Sequence, residues 1–184
     1  MRIGRPRGRG DKTAGYTLLE LSVVASITMV MAGVSLPAMA TMTARYRADA
    51  APRQLMGDLR FAQSQAISRG MEARVVIYTA TGVATGSGNA NTAAWANRYR
   101  VEARPTGGAW PAATATMATN GNVLSEWLDL GRDYNQSVTT ANAVVFTSRG
   151  SLQNSPTSLN IVMSTGGGST RTVRTHPSGL VEIL

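Results

Sequence analysis

The sequence contains no cysteine. That absence excludes a disulfide framework, cysteine zinc sites, iron–sulfur clusters and thiol catalysis. It leaves the compartment open, because exported proteins also do without cysteine. Histidine occurs once, at His176, which excludes a multi-histidine metal centre and argues against a histidine-based triad. Charged residues are only 15% and aromatic residues 5% of the chain, against 43% hydrophobic, so this is no disordered polyelectrolyte tail. No Gly-x-Ser-x-Gly nucleophile motif and no nucleotide-binding motif is present. The composition therefore points to no enzyme, no cofactor and no metal. What is abundant is 19 glycines with many Thr, Ala and Ser, the make-up of a turn-rich β domain. A length of 184 residues allows one domain with a small appendage.

The formal charge is +8, and it is unevenly placed. Arg2, Arg5, Arg7, Arg9 and Lys12 stand against Asp11 in residues 1–15. The remaining chain holds 13 Arg and nine acids. Half of the excess thus sits in a short N-terminal arm. A high isoelectric point invites a nucleic-acid reading, which weakens once the arm is set aside.

Behind the arm, Leu21 to Ala44 carry no charged side chain. As a helix these residues span about 36 Å, and about 20 residues cross a bilayer core. Ser22, Ser26, Thr28 and Ser35 dilute the hydrophobicity, but a helix bonds such hydroxyls to its own backbone. The basic arm predicts a cytoplasmic N-terminus, and no second run of this length exists. Three readings compete. An ordinary secretory signal peptide is supported by Ala38-Met39-Ala40, an A-x-A-like cleavage site, and would release a soluble secreted β protein. An uncleaved signal anchor is the second. The third turns on Glu20, because a carboxylate carried to the bilayer centre costs ~2.5–3.5 kcal/mol. A cut after Gly15 places a new α-amino group at Tyr16, near Glu20 in sequence. Between neighbouring subunits that amine and the Glu20 carboxylate would pair in an apolar bundle, neutralise each other and set the stagger.

Gly15-Tyr16-Thr17-Leu18-Leu19-Glu20-Leu21, behind a basic leader, resembles the class III signal of type IV pilins and type II secretion pseudopilins. The resemblance implies that a membrane prepilin peptidase cuts between Gly15 and Tyr16 and methylates the new N-terminus, with Glu20 serving subunit assembly. Tyr16 replaces the family's more usual Phe, and Pro37 falls where many pilin helices carry a proline.

A second helical stretch follows. Leu55, Leu59, Ala62 and Ala66 recur on one face, Pro52 is expected to kink or interrupt the helix near Ala48–Ala51, and Gly70 is a stop signal. Asp58-Leu59-Arg60-Phe61-Ala62-Gln63-Ser64-Gln65-Ala66-Ile67-Ser68-Arg69 is similar to the helix end of the GspH/FimT branch of minor pilins, with Gln63 and Gln65 where that branch has Arg and Glu. The apolar frame is kept, so a packing role carries over better than an ion pair. Strand patterns then appear at Ala73–Tyr78, Arg98–Arg104, Val123–Leu130, Ala143–Thr147, Ser158–Ser164, Arg171–Thr175 and Leu180–Leu184. Residues 79–97 and 105–122 read as long loops pinned by Trp95 and Trp110. Val144–Gly150 and Ser178–Val181 resemble the branch's strand-turn and closing hairpin. The expected fold is α+β and type IV pilin-like, a lollipop. Its long N-terminal helix, transmembrane in its first half, packs on an antiparallel β-sandwich head. The expected segments are residues 1–15 (leader), 16–44 (transmembrane and assembly helix), 45–70 (amphipathic helix) and 71–184 (periplasmic head).

Other motifs have bland explanations. Arg9-Gly10-Asp11 spells an adhesion tripeptide inside the leader, and Gly166-Gly167-Gly168 lacks the Lys-Ser/Thr of a phosphate loop. His176 has no partner nearby in sequence, and Glu126, Asp129 and Asp133 read as solvated strand ends or turns. Arg149, Arg171 and Arg174 would contact DNA if they converged at one sheet end, since some FimT-like minor pilins bind DNA during uptake through a Gly-Arg-x-Arg hairpin. This chain reads Gly179-Leu180-Val181-Glu182 there, and the plainer reading is arginines facing solvent on an edge strand. The resemblance implies a structural subunit of a type II secretion pseudopilus or a type IV pilus. It would sit once across the bacterial inner membrane with its head in the periplasm. Its partners would be other pilins, the prepilin peptidase, membrane lipid and an inner-membrane assembly platform driven by a separate ATPase.

Overall fold

The computed structural model describes residues 16–83, 93–140, 143–153, 155, 157–165 and 168–184. Gly15, the leader and its Arg9-Gly10-Asp11, and Gly166 and Gly167 lie outside them. The chain divides into two compact units, Met1–Met42 and Thr43–Leu184. Helix α1, Leu18–Arg69, runs 52 residues and contributes to both.

In the first unit the described residues from Tyr16 to Ser35 are exposed throughout. Leu18–Ser35 is long and apolar enough to cross a membrane by length and composition. Its hydroxyls close onto their own helix: Ser22 donates to Leu19 O at 2.8 Å, Ser26 to Ser22 O at 2.8 Å, Thr28 to Val24 O at 2.7 Å and Ser35 to Met31 O at 2.8 Å. Those polar groups are thereby satisfied without water.

The second unit is built on the amphipathic end of α1. Ala51, Leu55, Leu59, Ala62 and Ala66 are fully buried, one stripe as the spacing predicts. Burying a leucine side chain contributes about 1.5–3 kcal/mol. The helix is not interrupted at Pro52. A proline removes one hydrogen bond from the ladder, while its ring is buried and the stripe around it stays packed. The helix ends at Gly70, with φ 63°. Gly70 N–H bonds Ile67 O at 3.3 Å and Met71 N–H bonds Ala66 O at 3.1 Å, the paired closure that a left-handed glycine permits.

The strands are β1 (Glu72–Ile77), β2 (Arg98–Arg104), β3 (Leu128–Asp129), β4 (Gln136–Thr140), β5 (Val144–Phe146), β6 (Leu159–Thr165), β7 (Thr170–Thr175) and β8 (Val181–Ile183), with a short helix α2 (Leu130–Tyr134) between β3 and β4. They form two four-stranded sheets, ordered β3-β2-β1-β5 and β4-β6-β7-β8, and the pairings are antiparallel. Ala73, Val75, Ile77, Tyr99 and Val101 of the first sheet share one core with Val138, Ile161, Met163 and Val173 of the second and with the α1 stripe. The expected strand over Val123–Leu130 is instead an isolated bridge at Val123, the two-residue β3 and the start of α2. Strand β4 was not legible as a run.

Candidate functional site

The start of α1 is the first candidate. Tyr16 is 88% exposed. Thr17 caps the helix: its Oγ1 accepts from Glu20 N–H at 3.2 Å. The Glu20 carboxylate in turn accepts from Thr17 N–H at 3.1 Å and from Thr17 Oγ1–H at 3.2 Å. This reciprocal arrangement is a capping box, and its Thr-x-x-Glu signature stands in the sequence. Sequence reasoning assigned Glu20 an assembly role and missed that the residue also satisfies the first amides of its own helix. An acid at a helix N-terminus further gains from the helix dipole.

Two of the candidate DNA-contact arginines do not share a face. Arg171 and Arg174 are three residues apart on β7 and so point to opposite faces. Strand β7 is also interior, with β6 and β8 on either side, which corrects the edge-strand expectation. Arg171 reaches Asp49 of α1 at 3.0 Å. Arg174 donates to Asn160 Oδ1 at 3.2 Å and lies 3.5 Å from Glu182. Arg149 is exposed in the turn after β5, and its N–H donates to Thr147 Oγ1.

His176 does have partners, contrary to the sequence reading, because the β7–β8 hairpin brings Glu182 back across the turn. The ring Nε2 lies 3.0 Å from Glu182 Oε1, and Nδ1 lies 3.2 Å from Ser158 Oγ. The composition is that of a nucleophile, base and acid, but the ring nitrogens are exchanged relative to a hydrolytic triad, where the serine bonds Nε2. Glu182 is also shared with Arg174. The row braces the hairpin. Beside it, Gly179 has φ 88°, and a Cβ there would collide with the Gly150 carbonyl oxygen and the Gln63 amide. Gln63 Nε2 donates to Gly150 O at 2.8 Å, so the glutamine that replaces the branch's arginine ties α1 to the β5 turn.

Of the acids expected on solvated strand ends or turns, Asp129 is only partly exposed at the end of β3 and Asp133 lies within α2. Asp129 caps α2, accepting from Arg132 N–H at 2.9 Å, and pairs with Arg98 at 3.1 Å. Burial works against its ionisation, but the Arg132 amide and the Arg98 guanidinium outweigh it and hold the carboxyl below its ordinary value. Asp133 pairs with Arg132 at 3.0 Å, and Glu126 accepts from Met117 N–H. Among the described residues no three His, Cys, Asp or Glu side chains gather as metal ligands would.

The largest unforeseen feature is charged and buried. All six residues of β1 are buried, so its second face is covered too. On that face Glu102 lies between Arg74 and Arg100: Arg74 Nε donates to Oε2 at 2.7 Å and Arg100 Nε to Oε1 at 2.6 Å. None of the three side chains is more than 1% exposed. Residues 105–127 form the cover. Arg100 donates to the carbonyls of Ala112, Ala113 and Ala115, and Arg104 donates to Gly108 O at 2.9 Å. The Arg74 and Arg104 guanidiniums each stack 4.3 Å from the Trp110 ring, and Arg100 lies 4.5 Å from that of Trp127. Trp127 packs in turn on Trp95 and Tyr78. Trp110 holds the 105–127 stretch as expected, whereas residues 84–92 of the loop that Trp95 was expected to pin lie outside the described residues. Burial pushes the Arg74 guanidinium down from its ordinary value, and the Glu102 carboxylate opposes that shift.

A family model described as "Type II transport protein GspH" matches residues 51–179. In fold the chain is similar to the type IV minor pilin FimU of Pseudomonas aeruginosa (strain PAO1), with a TM-score of 0.50 at 16% identity over 78% of this chain and 92% of that one. It is also similar to the minor pseudopilin EpsH from the type 2 secretion system of Vibrio cholerae, with a TM-score of 0.49 at 12% identity over 75% of this chain and 96% of that one. No curated protein matches the sequence. The match covers well over half of the chain, from the buried stripe of α1 to the β7–β8 turn, and the chain belongs to the GspH family.

Proposed function

We propose that this chain is a structural subunit of a type IV filament machine, either the type II secretion pseudopilus or a type IV pilus, and that it acts by assembly rather than catalysis. The observation that carries this reading is the stretch Leu18–Ser35, exposed along its length and with Glu20 as its one charge. An apolar helix face of that kind requires a bilayer or a bundle of similar helices. Residues 1–15 would be the leader, 16–44 the membrane and assembly helix, 45–70 the amphipathic helix and 71–184 the periplasmic head. The prepilin peptidase would cut between Gly15 and Tyr16 and methylate Tyr16, and an inner-membrane platform would then feed the subunit into the filament. In the bundle, the Tyr16 amine of one subunit would pair with Glu20 of a neighbour, drawing the carboxylate out of its box with Thr17.

The DNA-binding alternative gains nothing from the geometry, since Arg171 and Arg174 are engaged with acids on opposite faces of β7. Glu20→Ala tests the proposal in cells carrying the cognate machine. The variant is expected to be cleaved normally but left out of filaments. Incorporation at the wild-type level would remove Glu20 from the mechanism.

A further inference from the structure

Between Leu21 and Gly57 the chain carries three arginines, Arg45, Arg47 and Arg53, and one acid, Asp49. The fold commits that acid elsewhere. The Asp49 carboxylate accepts from Arg171 Nη2 at 3.0 Å and Nε at 3.3 Å, which directs it to the sheet. Arg45, Arg47 and Arg53 are exposed, Tyr46 is 70% exposed, and none of the three arginines pairs with an acid among the described residues. At about 100° per residue, Arg45, Tyr46 and Arg53 fall on the half of α1 turned away from the buried Ala51 and Leu55, while Arg47 stands one turn before Ala51 and is exposed at that flank. They begin directly where the uncharged run Leu21–Ala44 ends.

This is a cationic and aromatic girdle at the end of an apolar helix. A guanidinium grips phosphate oxygens in a bidentate fork, and a tyrosine ring settles at the headgroup level. Side chains of a helix lean toward its N-terminus, so Arg53 leans back toward Arg45 and Arg47, and its long stem lets the charge reach further. We infer that Arg45, Tyr46, Arg47 and Arg53 form a collar that binds the phosphates of anionic phospholipids where the helix leaves the bilayer. This rests on the reading of residues 16–44 as a membrane span. The collar fixes the depth of the unassembled subunit, and entry into a filament requires those lipids to be released.

The full chain, reconstituted in vesicles of phosphatidylcholine with phosphatidylglycerol, tests this. Because the chain has no cysteine, a Thr43→Cys substitution carries one donor fluorophore without background. Energy transfer to acceptors on either headgroup reads local lipid composition. Phosphatidylglycerol is expected to be enriched about fivefold over phosphatidylcholine, the scale of one arginine near an anionic surface. In Arg45→Gln/Arg47→Gln/Arg53→Gln the ratio falls to about one. All three side chains are exposed, and unchanged tryptophan emission confirms the fold. A chain washed from vesicles by alkaline carbonate sinks the membrane-span reading and the collar with it. A chain that stays embedded without enrichment, or whose enrichment survives in the variant, overturns the collar alone. A variant that keeps the enrichment yet fails to enter filaments assigns these arginines to an acidic neighbouring subunit instead.

Discussion

Replacing Glu102 with alanine should unfold this protein more readily than almost any other single change. The carboxylate holds two guanidiniums, Arg74 at 2.7 Å and Arg100 at 2.6 Å, and all three side chains are at most 1% exposed. Removing it leaves two buried cations uncompensated and facing each other. Breaking a buried pair this way costs about 3–5 kcal/mol, and at about 2–4 °C per kcal/mol for a chain of this size the midpoint falls by about 6–20 °C. Thermal and denaturant unfolding of the full chain in detergent, followed by tryptophan fluorescence, read the effect globally and locally, because Trp110 and Trp127 stack on the affected arginines. Replacing Arg74 and Arg100 by methionine and Glu102 by leucine together should recover much of the loss, since an apolar substitute of like volume removes the desolvation penalty along with the attraction. A loss below about 1 kcal/mol in Glu102→Ala would refute the reasoning and mean that water reaches the cluster.

Three further outcomes follow from the geometry. Gly179→Ala places a Cβ at φ 88° against the Gly150 carbonyl, and a loss of about 1–3 kcal/mol is expected, measured in the same unfolding assay. Asp129 is held below its ordinary carboxylate value. Its folded form therefore binds a proton less readily than the unfolded chain, and the stability it gives α2 is intact above about pH 4. That stability is lost as pH falls through the depressed folded value, so Asp129→Asn should flatten the acid limb of the stability profile. Thr17→Val removes the hydroxyl of the capping box. The amides of Leu18 to Leu21 should then exchange about fivefold faster, the scale of a ~1 kcal/mol cap, in hydrogen-exchange mass spectrometry on micelles.

Much of the fold was legible because periodicity reports it directly. Leu55, Leu59, Ala62 and Ala66 repeat as a helix face repeats, and all four are buried. Arg98–Arg104 alternates as a strand must, and β2 has those limits. Alternation says that the two sides of a strand differ, not that one of them is uncovered. Arg100 and Glu102 are buried because residues 105–127 fold over them, and that stretch holds its place through the carbonyls of Ala112, Ala113 and Ala115, which no side-chain pattern records. The sequence hid the partners of His176 for a related reason. Glu182 is six residues away and Ser158 eighteen, joined only by hairpin register. The opposite facing of Arg171 and Arg174 was readable from their odd spacing, whereas the interior position of β7 was not. The Thr17–Glu20 box was also in plain view, in residues that serve two purposes at once.

The intact mass of the mature chain, recovered from membranes of cells with the cognate peptidase, tests the assembly account most directly. The account predicts a chain that begins at Tyr16 and carries one added methyl group. A chain that begins at Thr41, recovered from the soluble fraction, would contradict it and leave a secreted β domain in place of a filament subunit.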